Sequence, residues 1–199
     1  MASQSIAARA ATVAGLVLAL GSCVNLGSSK PPAQLFALQA ASPAPAGYSA
    51  SARPAEALLV AEPETDRALA APRIAAVVDD SRVAYLAGGQ WVERPSRQFA
   101  TLLAEALRAH GHRLVLRDGD AMPASGTRLS GHLLALGYDA RLPGAVVRFD
   151  ALRRGPDGRI STRRFEAVEK GVKPDARAVA EALGRLANTV AGEVAGWVN

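Results

Sequence analysis

The segment Gly155-Pro156-Asp157-Gly158, set between Val146–Leu152 and Arg159–Val168, restricts the fold more than any other part of the chain. Proline presets one turn dihedral, aspartate favours turn positions, and Gly158 is free to take positive φ. Two strand-like runs joined this tightly pair antiparallel, because parallel pairing needs a long crossover.

Other elements follow from hydropathy periods and breakers. Glu56–Glu62, Arg73–Val78, Arg82–Leu86, His112–Arg117 and Thr127–Asp139 read as strands. Gly88-Gly89 is expected to end one strand, and Gly131 or Gly137 to bend another. Gln34–Gln39 alternates and is a short strand candidate, whereas Ala40–Pro54 reads as a disordered surface loop. Phe99, Leu102, Leu103, Ala106, Leu107 and His110 share one face of a helix over Pro95–His110, with Gly111 suited to a left-handed end. Val179, Leu183, Leu186, Val190, Val194 and Trp197 predict a long amphipathic helix from about Asp175. The order β-β-β-β-α-β-β-β-β-α predicts an α/β two-layer sandwich. Two amphipathic helices cover one face of a mixed, mainly antiparallel sheet of six to eight strands. Alanine supplies 43 of the 199 residues and aromatics only 5%, so the core must rest mainly on Leu and Val.

The amino terminus reads as an address. Arg9 is followed by the apolar run Ala11–Leu20 and then Leu20-Gly21-Ser22-Cys23, the pattern of a secretory signal peptide. The run is about half the roughly 20 residues that a membrane span needs. The Leu-Gly-Ser-Cys ending resembles a bacterial lipobox. That resemblance implies cleavage between Ser22 and Cys23, an S-diacylglycerol and an N-acyl group on Cys23, and no other cofactor. Two or more acyl chains anchor stably, at about 0.8 kcal/mol per buried CH₂. Residues 1–22 are then the signal peptide, 23–33 a flexible lipidated tether and 34–199 a single domain. Lipoproteins of the enteric type carry Asp after the cysteine when the inner membrane retains them; Val24 therefore points to the outer membrane.

Chemistry-bearing patterns are sparse. The single Cys excludes an intramolecular disulfide framework and a Cys-cluster zinc site. His110, His112 and His132 lack metal-ligand spacing, Ser130 lacks a nucleophile elbow, and Gly88-Gly89 lacks the Lys-Ser/Thr of a phosphate loop. Asp79-Asp80 reads as a strand end in preference to an acid/base pair. Neither catalytic nor metal residues are assigned. The formal charge of +5 is modest, and export leaves no nucleic-acid role. Arg153, Arg154, Arg159, Arg163 and Arg164 crowd around the hairpin and are candidates for contact with an anionic headgroup or an acidic protein face. A solvated hairpin balanced by Asp150, Asp157, Glu166 and Glu169 is the alternative. Tyr85 and Trp91 flank Gly88-Gly89 and are candidates for a partner interface or, equally, for the core.

Several segments in order resemble the ABC-type transport auxiliary lipoprotein family, which includes paraquat-inducible-type outer-membrane lipoproteins. After the lipobox come Pro31-Pro32, Phe36-Ala37-Leu38, Arg73-Ile74-Ala75-Ala76-Val77 and Val83-Ala84-Tyr85-Leu86. Gln90-Trp91-Val92-Glu93-Arg94-Pro95 and the Phe99–Leu107 helix follow. The family usually has Tyr where Phe36 stands. The resemblance implies a non-enzymatic, outer-membrane lipoprotein that faces the periplasm of a Gram-negative bacterium. It implies partnership with an MCE-domain protein and its ABC permease in lipid transport, and a homo-oligomer in the form of a ring. A lipid carrier with its own pocket, or an outer-membrane assembly lipoprotein, is the alternative.

Overall fold

A computed structural model describes residues 34–111, 113–120 and 125–198. The predicted signal peptide, the tether through Ala33 and His112 lie outside the described residues. No helix among the described residues is long and apolar enough to cross a membrane.

The hairpin forms where the turn residues require it. Strands β6 (Gly144–Arg154) and β7 (Ile160–Lys170) run two residues or so beyond the predicted stretches at most ends. Gly155 N donates to Arg159 O at 2.9 Å, and Gly158 takes φ +79°. The preceding strand, β5 (Thr127–Asp139), pairs antiparallel with β6 along its whole length.

β5 is the spine of a seven-stranded sheet. Its second edge is shared: the first residues pair in parallel with β1 (Leu58–Val60), the last with β2 (Arg73–Val77). β1 carries β4 (Val115–Arg117) in parallel, and β2 carries β3 (Val83–Gln90) antiparallel. The long ladders are antiparallel and the short ones mostly parallel, so the sheet is mixed and mainly antiparallel as predicted.

Register fixes the two faces. Leu129, Gly131, Leu133, Leu136 and Tyr138 of β5 stand beside Arg153, Ala151, Phe149, Val147 and Ala145 of β6. This inner face meets helices α2 (Pro95–His110) and α3 (Ala176–Val198), the two amphipathic helices predicted. Phe99 meets Phe149 edge-on at 5.2 Å, and Phe165 of β7 meets Trp197 at 5.8 Å. Ala182, Ala187, Ala191 and Ala195 of α3 are fully buried, as is Ala104 of α2. Small side chains let the two helices and the sheet approach closely, which is how an alanine-rich chain fills a core with few aromatics.

Several local expectations are corrected. Gln34–Gln39 makes only an isolated bridge, Phe36 to Trp91, and not a strand. Gly88-Gly89 does not end β3. The strand runs through both glycines as a bulge, with Ala75 opposite Tyr85 but Arg73 opposite Gln90. Gly88 has φ +69°, and a Cβ on Gly89 would press on Ile74 at 3.1 Å. The irregularity in β5 lies between Leu133 and Ala135 and not at the glycines. Those glycines serve close approach instead: a Cβ on Gly131 would collide with the Asp150 carbonyl, and one on Gly137 with that of Ala75. Gly111 leaves α2 in extended backbone, φ −161°, because the chain heads directly for β4. His110 Nδ1, 2.8 Å from Ala106 O, and Arg108, donating to Val115 O at 3.0 Å, hold that end. A four-residue helix, α1 (Arg67–Ala70), escaped the periodicity reading; Asp66 caps it by accepting from Ala68 N and Leu69 N.

Candidate functional site

The domain entry is a strap, Gln34–Ala41, laid across the helices and the β3 end. Phe36 N donates to Gln90 O and Val92 N to Phe36 O, both at 2.8 Å. Leu38 N donates to Gln98 Oε1 at 2.8 Å, and that amide is held by donating to Glu93 O. Asn188 of α3 brackets the strap: its Nδ2 donates to Gln39 O at 2.8 Å and its Oδ1 accepts from Ala41 N at 2.7 Å. Arg177 Nη2 donates to Gln34 Oε1 at 2.9 Å. Leu38 is buried. The strap is thereby fastened to both helices and to the end of β3.

Trp91 sits under the strap. It is 1% exposed and meets Phe36 edge-on at 6.5 Å. Its position overturns the surface-interface role: the side chain is core, and its Nε1 has no hydrogen-bond partner among the described residues. Tyr85 is half-buried on the outer sheet face, where its hydroxyl donates to Ala68 O at 3.3 Å and the Arg73 guanidinium lies 4.5 Å above its ring. Packing between α1 and the outer sheet face holds it in place. The Ala40–Pro54 segment is irregular as expected, but it is pinned by Ala44 N to Glu105 Oε2 and by Tyr48 OH, which donates to Arg113 O at 3.0 Å.

The five hairpin arginines divide. Arg164 grips Asp150 with two bonds of 2.6 and 2.7 Å, and Arg159 lies 3.7 Å from Asp157. The Arg164 guanidinium holds the Asp150 carboxyl below its ordinary range, and Asp150 raises Arg164 in turn. Arg153, Arg154 and Arg163 form no ion pair among the described residues. Arg163 instead lies over the Phe165 ring, 4.9 Å from its centroid. Burial, and then the charge of Arg153, lower the Arg113 pKa, so the two guanidinium groups repel across the sheet end.

The remaining candidates are structural. Asp79 closes a turn by accepting from Ser81 N, Ser81 Oγ and Arg82 N, and the Arg82 hydrogen bond leads in lowering its pKa to about 2. Asp80 accepts from Arg141 at 2.7 Å. His132 Nε2 lies 3.0 Å from Glu64 Oε2, and no group of three metal-ligating side chains occurs among the described residues. Cys23 and Ser22 lie outside the described residues.

The model of one family, the ABC-type transport auxiliary lipoprotein component, matches residues 36–195. The chain belongs to this family. The match starts inside the strap and ends near the close of α3, so the auxiliary-lipoprotein domain is the whole fold just described. A crystal structure of a Xanthomonas campestris protein is similar at TM-score 0.67 and 21% identity, covering 82% of this chain and 94% of that one. A second crystal structure, of an uncharacterized protein, is similar at TM-score 0.62 and 14% identity, covering 72% and 93%. Both likenesses concern the fold. A search of curated proteins finds no match.

Proposed function

We propose that this auxiliary lipoprotein is a non-enzymatic outer-membrane component of an MCE/ABC-type lipid transport system. It docks or caps the periplasm-spanning MCE assembly, as a homo-oligomer in the form of a ring. The observation that carries the reading is the family match over 36–195, directly downstream of a lipobox at Cys23. Acylation of Cys23 would confine the domain to a membrane surface and raise its effective concentration for a partner there. The strap supports this reading mechanically, because a tether ending at Gln34 would pull on α3 and β3 together and not on a loose end.

A carrier that holds lipid in its own pocket fits the geometry less well. The crevice between α1 and the outer sheet face, floored by Ala75, Val77 and Val146, encloses about 180 Å³. Small-molecule sites measure about 300–1,000 Å³. Larger hollows, about 540 Å³ between the strap and α3 and about 570 Å³ against β6 and β7, lie open to solvent.

The test is crosslinking of the protein in its native membrane, with partners identified by mass spectrometry. Recovery of an MCE subunit supports the proposal. Recovery of a β-barrel assembly partner alone sinks it in favour of an assembly lipoprotein. The mass of the N-terminal peptide checks the anchor: a chain starting anywhere but at an acylated Cys23 refutes that part.

A further inference from the structure

The fold gathers arginines that are far apart in the sequence. Arg113, Arg117, Arg128, Arg153, Arg154 and Arg163 come from β4, β5, β6, β7 and the approach to β4. Register puts them at one end of the sheet, where β5 begins and β6 ends. On the inner face, Arg153 stands beside Leu129, Leu129 beside Val60, and Val60 beside Arg117. On the outer face, Arg128 stands directly opposite Arg154, and Arg154 opposite Ile160. None of the six forms an ion pair among the described residues. Farther along the same sheet Arg148 and Arg164 pair with carboxylates, on Glu166 and Asp150, and Arg185 of α3 pairs with Glu169.

Three features favour an anion at this end over a merely solvated surface. Like charges directly opposite on adjacent strands destabilise a sheet, and Arg128–Arg154 is such a pair. The Nε atoms of Arg117 and Arg153 are buried without a hydrogen-bond partner, a cost that an approaching anion reduces by drawing the guanidinium groups outward or screening them. Guanidinium also matches the geometry of phosphate oxygens in two-point contacts. Arginines stand on both faces of this sheet end, and Ile160, opposite Arg154, is 52% exposed. An exposed apolar side chain beside cations complements a flat anionic layer with apolar material beneath it.

We propose that this arginine-rich sheet end docks on the phosphate headgroups of an anionic lipid surface, with Ile160 entering the interfacial region. Each arginine near such a surface strengthens binding about 5-fold, and salt weakens the attraction by screening. The inference does not depend on the assignment of an MCE partner.

The test uses the full chain carrying Cys23→Ser, which offers no thiol for acylation. Its apolar residues 11–20 are common to every variant, so differences between variants report the sheet end. Binding is measured to vesicles of phosphatidylglycerol mixed with phosphatidylcholine and to phosphatidylcholine alone. The expected result is preference for the anionic vesicles, reduced by added salt and weakened about 25-fold in R128Q/R154Q. Thermal stability of that variant should be equal or higher, since a like-charge pair is removed. Arg185→Gln, on α3, is the control and should keep the preference. Equal binding to both vesicle types overturns the proposal, as does an R128Q/R154Q variant that binds like the parent. An equal loss in Arg185→Gln would assign binding to net charge and also overturn it. Binding to polyglutamate without binding to anionic vesicles would overturn it in favour of an acidic protein partner.

Discussion

Trp91→Ala tests the core of the fold. The side chain is 1% exposed between the strap and the helices, and it meets Phe36 edge-on. Truncating a buried tryptophan to alanine costs about 3–5 kcal/mol, from lost transfer energy and the cavity left behind. Domains of this size are stable by about 5–15 kcal/mol, so the variant should fold but lie near the margin. Trp91→Phe keeps most of the volume and removes the buried indole N–H that has no partner. Burying such a donor costs about 1–3 kcal/mol, so its removal offsets part of the packing loss and the net change should stay below about 2 kcal/mol. Urea unfolding followed by far-ultraviolet circular dichroism measures both, with the unchanged slope checking that the transitions are comparable. A loss below about 1 kcal/mol for Trp91→Ala would refute the core assignment. A Trp91→Phe loss as large as that of Trp91→Ala would refute the cost assigned to the unpaired donor, while leaving the core assignment in place.

Asp139 is 7% exposed and bound twice by Arg141, whose hydrogen bonds lead in lowering its pKa. A depressed carboxylate contributes stability that is complete above its unfolded pKa of about 3.9 and is lost as pH falls through the folded value. Asp139→Asn should therefore cost about 1.5–3 kcal/mol at neutral pH in denaturant titrations, with the difference from the parent closing below about pH 4. Gly131→Ala places a methyl against the Asp150 carbonyl at φ +149° and should lower the melting temperature by about 6–12 °C, the equivalent of about 3 kcal/mol. Asn188→Ala removes both bonds to the strap; hydrogen exchange at Ala41 should accelerate, while amides in the β5–β6 ladder keep their protection.

The helices and the hairpin were legible because each signal is local. A 3.6-residue apolar period over Phe99–His110 and Val179–Trp197, or Pro-Asp-Gly between two strands, selects one backbone geometry without help from distant residues. Gly88-Gly89 misled because glycine permits a turn and a bulge equally well. The opposing Ile74 and the demand of Arg73 for a partner at Gln90 decided for the bulge. Trp91 was ambiguous for a related reason: an aromatic beside glycines packs inward or outward according to what lies above it, and here the strap arrives from more than fifty residues away. Asp66 is an ordinary helix cap, yet the four-residue helix it starts is too short to show a period.

By itself the sequence determined the class. The segments that carry the family resemblance are contiguous and legible without a folded chain, and the family match over residues 36–195 bears them out. The layered architecture follows from short-range periods. Tertiary structure alone decided which charges are free. The hairpin cluster of five arginines lost Arg159 and Arg164 to Asp157 and Asp150, and a different cluster formed from Arg113, Arg117 and Arg128 with Arg153, Arg154 and Arg163. Charge density depends on distance in space, and strand register, which brings residue 117 level with residue 153, is a property of the assembled sheet.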